Sequence, residues 1–467
     1  MPDKLHLSID TRQPRIALLT PYTGANLGDA SIQDAMIANI GLRLPGVEFS
    51  GITLNCDNFM ERHGPGAFPL LAHLQVHGTF RVSLEDPNEY DSFATMHLPN
   101  GVGIFVNKVK TFLKSTPTLR RWLKVLRRIA QVLARIPREV SHSIAGYRFL
   151  RTHHLVIVCG GGQLNEEWGG AWQHPFGLFK WAMLAKLARV PYAVSSVGAV
   201  KITSAASRMF VTAALRMACY RSYRDKHSKD IVTALLGRAD RDPVVPDLAF
   251  SIPSSALAPP ASIRPLAQGR AIIAVSPIAY YKPGMWFSQD AARYQLYVQK
   301  MAEVISQLLG RGYFLVLVWS QLGDDKSVIP ELLGRLDDRS KQRLARQLHI
   351  PAIKTWSDLV ATLRDVDLLI ASRLHSTILG FMSETPTIAI SFDPKVDWVM
   401  EDVGQTDYLL QIRDFSSSDV IDAVYRLELR KDVVVQQIAS YRRGILPLMS
   451  SQYDSLATLA IAQCRRR

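Results

Sequence analysis

The segment 367–391 constrains the fold of this chain more than any other. An apolar strand, Asp367–Ala371, leads into the motif Arg373-Leu374-His375, then a short helical stretch and a second apolar strand, Thr387–Ser391. A strand, a helix and a second strand predict a parallel pair joined by a right-handed crossover. The motif would then lie at the carboxyl edge of a parallel sheet, which is where open α/β sheets bind ligands.

Arg373 and His375 suit a site for an anionic substrate. The planar guanidinium of an arginine binds carboxylates and phosphates in a bidentate way. A histidine can deliver a proton near neutral pH, and the start of the following helix adds backbone N–H groups. The structural alternative is a buried arginine next to a histidine that caps the helix.

The same alternation of strands and helices recurs along the chain in two halves. It predicts an α/β fold with two Rossmann-like domains that face a cleft. We place the first domain at 1–250, a linker rich in Pro, Ala and Ser at 251–270, and the second domain at 271–467. The stretch 56–104 is rich in His, Pro, Gly and Asn and is predicted to be a loop insertion. Predicted strands are Arg15–Thr20, Gly51–Asn55, His154–Cys159, Tyr192–Val197, Ala271–Ser276, Tyr313–Trp319, Leu368–Ala371 and Thr387–Ser391.

Composition is that of a soluble globular protein. Of its residues, 48% are hydrophobic and 21% are charged. The length of 467 residues exceeds that of a chain with one ordinary core and fits two domains. No apolar run approaches the roughly 20 residues of a spanning helix, and the first residues lack a signal-peptide core. Four scattered cysteines indicate neither a disulfide framework nor a metal site. We therefore expect a cytoplasmic protein without a metal.

A basic segment carries most of the net charge of +14. Ten Lys or Arg and one acid lie between Lys108 and Glu139, within an insertion at about 105–140. Over Leu119–Ile136 apolar residues recur at helical spacing with basic residues opposite, which is typical of a helix on an anionic membrane surface. The alternative is a core helix with a solvated basic face. Nucleic acid is not expected as a partner, because no nucleic-acid-binding motif accompanies the charge.

Four further loops follow predicted strands or precede the linker. Gly24–Ala30 joins a strand to a helix, whose start would offer N–H groups to an anion. Gly160–Gly162 follows a strand directly, Arg224–Ser228 supplies a second anion-binding arginine, and Pro246–Phe250 contains an aspartate near the linker. Each loop has an ordinary structural explanation as a turn or a cap.

Together these loops resemble the polysaccharide pyruvyl transferase family. The resemblance spans about 16–404 and follows the family's order of motifs. It implies the two-domain fold of GT-B-like glycosyltransferases and the transfer of pyruvate from phosphoenolpyruvate onto a sugar diol as a cyclic ketal. The matching residues are Gly24–Asp29, Gly160–Gly162, Arg224, Asp225, Ser228, Pro246–Phe250, Arg373-Leu374-His375, Gly380, Pro386 and Lys395.

The resemblance implies roles for individual residues. Arg373, His375 and Arg224 would contact phosphoenolpyruvate, which is the donor substrate rather than a cofactor. The acceptor would be a sugar or a lipid-linked oligosaccharide. Two departures are Ser196–Val200 in place of a Gly-Gln-Gly-like loop and Phe392 in place of a tyrosine. The further expected substrate-binding residues are Asn26, Gly28, Asp29, Gly161, Gly162, Asp225, Ser228 and Lys395.

The chemistry of such a transfer fits these residue types. Phosphoenolpyruvate carries a carboxylate and a phosphate, and its methylene carbon must gain a proton as a hydroxyl attacks C2, so His375 is the candidate acid. Asp29 or Asp225 could act as base, or could be a helix cap. Two other functions stay open: a nucleotide-sugar glycosyltransferase, and a membrane-surface scaffold with a degenerate pocket.

Overall fold

The computed structural model describes residues 13–22, 24–72, 136–237, 241–286 and 289–466. The predicted basic helix falls almost wholly outside these ranges, as does 73–104 of the predicted insertion. Within them the chain forms two six-stranded sheets flanked by helices, which confirms the predicted α/β fold.

The first sheet is entirely parallel and has the order β3-β2-β1-β4-β5-β6. Its inner strands are short buried apolar runs, as expected for a sheet covered on both faces. The strands are β1 (Arg15–Thr20), β2 (Glu48–Thr53), β3 (Ala67–Pro69), β4 (Leu155–Cys159), β5 (Tyr192–Val197) and β6 (Tyr220–Tyr223). The helices are α1 (Leu27–Arg43), α2 (Cys56–His63), α3 (136–150), α4 (His174–Leu187), α5 (Ala205–Met217) and α6 (Lys226–Leu236).

The second sheet repeats this topology with the order β12-β11-β10-β7-β8-β9. Its strands are β7 (Ile272–Ser276), β8 (Phe314–Leu317), β9 (Leu348–His349), β10 (Leu368–Ala371), β11 (Thr387–Ser391) and β12 (Leu409–Gln411). Its helices are α7 (Arg264–Ala267), α8 (Ala291–Gly310), α9 (Ile329–Gly334), α10 (Asp338–Gln347), α11 (Trp356–Leu363), α12 (Leu374–Met382), α13 (Pro394–Asp402), α14 (Ser417–Leu429) and α15 (Lys431–Arg465).

Counted from its own first strand, each sheet has the Rossmann order 3-2-1-4-5-6. The strand order reverses between β1 and β4 in the first sheet and between β7 and β10 in the second. Ligands of open α/β sheets bind at the carboxyl ends of the strands beside such a reversal. The topology alone therefore singles out the loops that follow these four strands.

The prediction of a loop at 56–104 is wrong for the beginning of this stretch. Cys56–His63 forms α2 and Ala67–Pro69 forms β3. Asn55 caps α2 by accepting a hydrogen bond from the N–H of Asn58 at 3.0 Å. Phe59 is buried against Gly51, where a methyl group would lie 2.6 Å from the ring. A capped helix that covers the sheet edge explains why the polar composition misled the prediction.

The last helix, α15, connects the two halves. Its first part buries Val434 and Ile438 in the core cluster that includes the second sheet, and Pro447 lies inside the helix. Beyond Pro447, Gln452 bonds to Ser196 at 3.0 Å. The placement of 271–467 in one domain stays a prediction, although the end of this segment contacts the first half.

Candidate functional site

The carboxyl ends of the two sheets meet directly. The N–H of Leu27 donates to the carbonyl of Ser320 at 2.9 Å, and the N–H of Leu322 donates to the carbonyl of Ala25 at 2.9 Å. These two bonds join the loop before α1 to the loop after β8. The sequence motifs that follow β1, β4, β6 and β10 are thereby brought to one interdomain cleft.

His375 lies against Gly28 across this cleft. A methyl group on Gly28 would lie 1.9 Å from Cγ of His375, so only glycine permits this approach. The Nε2 atom of His375 is buried and has no hydrogen-bond partner among the described residues. Buried polar atoms are rarely left without a partner, and an exception at a cleft indicates a position that a ligand fills.

Arg373 immediately precedes α12 and is held by a buried aspartate. Its Nε and Nη2 atoms donate to the two carboxylate oxygens of Asp325, both at 2.8 Å, and Asp325 is fully buried. The guanidinium also lies 5.8 Å from the ring centroid of Trp286. Asp325 therefore fixes the guanidinium and uses one edge of it, while no described residue accepts a hydrogen bond from Nη1.

The start of α12 is open. No described residue accepts a hydrogen bond from the N–H groups of Leu374, His375 or Ser376. Free N–H groups and the positive end of the helix dipole make such a start a site for an anion.

The start of α1 is closed, contrary to the expectation that it would offer N–H groups. The side chain of Asn26 accepts hydrogen bonds from the N–H groups of Gly28 and Asp29, at 3.0 and 3.4 Å. The N–H of Leu27 is used by Ser320, and that of Ala30 by the carbonyl of Asn26. Asn26 therefore has the contacts of a helix cap.

Arg224 is 4% exposed and lies between two carboxylates. Its Nε is 3.5 Å from Asp225 and its Nη1 is 3.6 Å from Asp247. A methyl group on Gly198 would lie 2.7 Å from Nη2, so that glycine makes room for the guanidinium. Both contacts are long for charge-assisted hydrogen bonds, so the guanidinium keeps donors for a third acidic group.

Asp225 and Ser228 tie this loop together. Asp225 caps α6 by accepting from the N–H of Ser228 at 2.6 Å. The hydroxyl oxygen of Ser228 accepts from the N–H of Ala199 at 2.8 Å, which links α6 to the loop after β5. These contacts position Arg224.

The loops of the first sheet form one side of the cleft, here called the first wall, and those of the second sheet form the second wall. The glycines after β4 leave space on the first wall. Gly160 and Gly161 have positive φ angles of 51° and 69°. A methyl group on Gly161 would lie 3.6 Å from a carboxylate oxygen of Asp29, and one on Gly162 would lie 4.0 Å from Nζ of Lys395. Lys395, which follows β11, therefore reaches across to the glycine loop and adds a third cation.

Asp29 is the acidic group of the first wall. Burial raises its pKa above the ordinary value, and Asp247 adds to the rise. The positive charges of His375 and Arg224 act in the opposite direction. Such interactions require these four side chains to be near one another, so the two arginine motifs belong to one site.

The structure thus brings together the three predicted donor-contacting residues. It also adds Asp325, which the sequence analysis missed although it lies in the stretch Gly323-Asp324-Asp325 shortly after β8. Of the described residues, no three His, Cys, Asp or Glu side chains converge as a metal site would require. The predicted absence of a metal or other cofactor stays a prediction.

Solved structures share this fold at low sequence identity. A protein of Listeria monocytogenes described as a UDP-N-acetylglucosamine 2-epimerase is 10% identical, with a TM-score of 0.52 and coverage of 95% of this chain and 98% of that one. The UDP-N-acetylglucosamine 2-epimerase of Neisseria meningitidis, bound to UDP-N-acetylglucosamine, is 8% identical, with a TM-score of 0.50 and coverage of 97% and 100%. At these identities the likeness defines only a class of fold, that of two-domain GT-B-like enzymes.

The family of the chain follows from its sequence. The model for polysaccharide pyruvyl transferase matches residues 26–394, and the chain belongs to that family. It is therefore a transferase, as its motifs predicted. No curated protein matches the chain in sequence.

Proposed function

We propose that this transferase moves pyruvate from phosphoenolpyruvate onto a sugar diol of a polysaccharide or of its lipid-linked precursor, as a cyclic ketal. The observation that carries the proposal is the unpartnered Nε2 of His375, a residue that lies two positions after Arg373 and acts together with Arg224 on the carboxyl of Asp29. Arg373, Arg224 and Lys395 suit a substrate with both a carboxylate and a phosphate. The open start of α12 supplies neutral donors to the same anion.

In this proposal each cation has a distinct part. The free side of the Arg373 guanidinium, which Asp325 holds in place, binds one acidic group of the donor, and Arg224 binds the other. Lys395 neutralises the phosphate as it leaves. His375 delivers its proton to the methylene carbon of the donor, which makes C2 electrophilic as the hydroxyl attacks.

The test incubates the protein with phosphoenolpyruvate and a panel of lipid-linked saccharides. We expect phosphate release together with a mass gain of one pyruvyl group on an acceptor. Thermal stabilisation by phosphoenolpyruvate but not by a nucleoside diphosphate is expected as well. The reverse selectivity, without pyruvyl transfer, would favour a nucleotide-sugar glycosyltransferase.

We further propose a cytoplasmic enzyme that binds the surface of an anionic membrane, which would bring the cleft to a lipid-carried acceptor. Supporting this, α3 exposes an apolar stripe at helical spacing, with Ile136 48%, Val140 51% and Ile144 49% exposed. The stripe continues the sequence of the basic segment 108–139. Among the described helices, none combines the length and apolar character needed to cross a membrane.

The opposite side of α3 is anchored to the first domain. Lys180 is buried and donates to Glu139 at 2.6 Å, and a methyl group on Gly146 would lie 3.0 Å from Trp181. The helix is therefore held with its apolar stripe facing outward, in an orientation that suits insertion into an interface.

Liposome co-sedimentation tests this surface. Binding should require anionic lipid and weaken with salt, because each Lys or Arg near such a surface contributes about 1 kcal/mol. Val140→Asp should lower binding. The matched control is Leu429→Asp, at an 87% exposed position on α14. Equal binding of neutral and anionic vesicles would contradict the proposal.

A further inference from the structure

The structure assigns a general base to the reaction: we propose that the carboxylate of Asp29 takes the proton from the sugar hydroxyl that attacks the donor. This inference rests on the proposed function, because it names the group that activates the acceptor of that same reaction. It also distinguishes between the two aspartates, Asp29 and Asp225, that the sequence left as alternatives.

Three carboxylates lie near Arg224, and two of them are engaged. Asp225 caps α6 through Ser228 at 2.6 Å. Asp247 is 2% exposed, and its Oδ1 accepts from the N–H of Ala249 at 3.1 Å. Its Oδ2 has no hydrogen-bond partner among the described residues, but it lies 3.6 Å from Nη1 of Arg224 and is the counter-charge of that guanidinium. Both therefore have structural duties that would compete with proton transfer.

Asp29 is different. No described residue donates a hydrogen bond to its carboxylate, and the residue is half-buried. Its backbone N–H is fixed by Asn26, so the residue itself is firmly placed. A positioned carboxylate with free acceptor sites, open to a cleft, is what a hydroxyl donor requires.

The acid, His375, and the base, Asp29, lie on opposite walls of the cleft. Asp29 follows Gly28 directly, and His375 lies on Gly28 from the other domain. On the other side of Asp29, Gly161 presents no side chain. A hydroxyl can therefore approach Asp29 without meeting a side chain from Gly161.

Burial supports the assignment by raising the pKa of Asp29. A carboxylate with a raised pKa is a stronger base, and general bases work best with a pKa near the operating pH. The cations His375 and Arg224 oppose the rise, which favours the ionised form that a base needs.

The first half of the reaction then balances. The hydroxyl oxygen forms a bond to C2 of phosphoenolpyruvate as its proton passes to the Asp29 carboxylate. The C2–C3 double bond breaks, and its electron pair takes a proton from the His375 imidazolium at C3. The products are a tetrahedral adduct that carries the phosphate, a neutral His375 and a protonated Asp29.

The second half returns both groups to their starting states. The second hydroxyl forms a bond to C2 while the C2–O bond to phosphate breaks. Neutral His375 takes the proton of this hydroxyl, and protonated Asp29 gives its proton to the departing phosphate. No further reactant is needed, and the products are the cyclic ketal and inorganic phosphate.

The test compares Asp29→Asn with the parent protein on phosphoenolpyruvate and the panel of lipid-linked saccharides. The variant should lose about 10²–10⁴-fold in kcat, which is the usual contribution of a general base. Its donor affinity, measured by thermal stabilisation with phosphoenolpyruvate, should be kept or improved, since a negative charge near an anion is removed. A loss of donor affinity equal to the loss of kcat would overturn the role of base.

The pH profile adds a readout that a structural role would not move. In the parent protein kcat should fall as the pH is lowered through the raised pKa of Asp29, because the carboxylate becomes protonated. Asp29→Asn should lack this acidic limb, whereas Asp225→Asn should keep it, because Asp29 is unchanged and asparagine can still cap α6. Parent-like kcat in Asp29→Asn beside an active parent overturns only this inference, whereas an inactive parent overturns the proposed function too.

Discussion

The two walls of the cleft differ although their sheets share one topology. On the first wall, the N–H groups at the start of α1 are used by Asn26 and Ser320, and the charged group there is Asp29. On the second wall, the start of α12 leaves its N–H groups without partners among the described residues, and Arg373 lies beside it. The same fold thus yields one wall that presents a carboxylate and another that is suited to binding an anion.

This difference teaches that a helix start next to a Rossmann strand is not an anion site by position alone. What decides is whether a side chain already caps it. Asn26 closes α1, whereas Arg373, the residue at the corresponding place before α12, makes no side-chain hydrogen bond to the helix. The helix dipole is present in both, but only one is accessible to a ligand.

The largest expected effect comes from removing the acid of the second wall. His375→Ala should lower turnover by about 10²–10⁴-fold, because general acid catalysis commonly contributes that much. Circular dichroism should show an unchanged fold. His349→Ala, in β9 outside the contacts described for the cleft, serves as control, and a His375 variant with most of the parent rate would remove this residue from the acid role.

The contact between the walls is tested by Gly28→Ala. The added methyl group would overlap His375, so the walls must separate, and a displacement of about 1 Å can cost about 10²-fold in rate. Gly41→Ala on the same helix is the matched control, since no atom lies within 4 Å of its added methyl group. It should be active and more stable by about 0.5–1 kcal/mol in denaturant unfolding. Equal activity in both variants would mean that the walls do not close on each other in solution.

The anion-binding wall is tested by Arg373→Lys. Lysine keeps the charge but loses the fork that Asp325 holds, so donor affinity should fall about tenfold, or about 1.4 kcal/mol. Calorimetric titration with phosphoenolpyruvate measures this. Arg15→Lys, which pairs with exposed Glu48 at the far end of β1, should bind the donor like the parent. Unchanged affinity in Arg373→Lys would mean that the anion binds elsewhere.

The smallest effect is expected on the closed wall. Asn26→Ala removes the cap of α1 and should lower the free energy of unfolding by about 1 kcal/mol. Donor affinity should stay unchanged if Asn26 only caps the helix. Ser416→Ala, which removes the cap of α14, is a control of similar cost in another region. A large loss of donor affinity in Asn26→Ala alone would make this wall part of the anion site and erase the contrast.

Much of the fold could be predicted because its strands are locally encoded. Short apolar runs bounded by Gly, Pro and polar residues predicted Tyr192–Val197, Leu368–Ala371 and Thr387–Ser391 with the bounds observed. Residues at strand ends then follow from topology, since parallel strands bring their carboxyl ends together. This is why Gly28, Arg224 and His375, far apart in sequence, were expected near one site.

Contacts between loops that are distant in sequence were less accessible to sequence reasoning. Nothing local connects Asp325 to Arg373, because the pair depends on how two loops of the second sheet approach each other. The cap by Asn26 was predictable in principle, since Asn before a helix with an acid three residues later is typical of a helix start. The path of α15 depends on tertiary packing along its whole length.

The two connections between the halves restrict how the cleft can open. The chain passes once through 251–270 and returns along α15, where Gln463 donates to the carbonyl of Arg189 at 2.7 Å. Because the two halves are joined at two separate places, they can rotate mainly about the line through both connections. We therefore expect the cleft to open by a hinge rotation about that line. Pro447 lacks the N–H that would complete the helix at the second crossing, which makes that point the natural pivot.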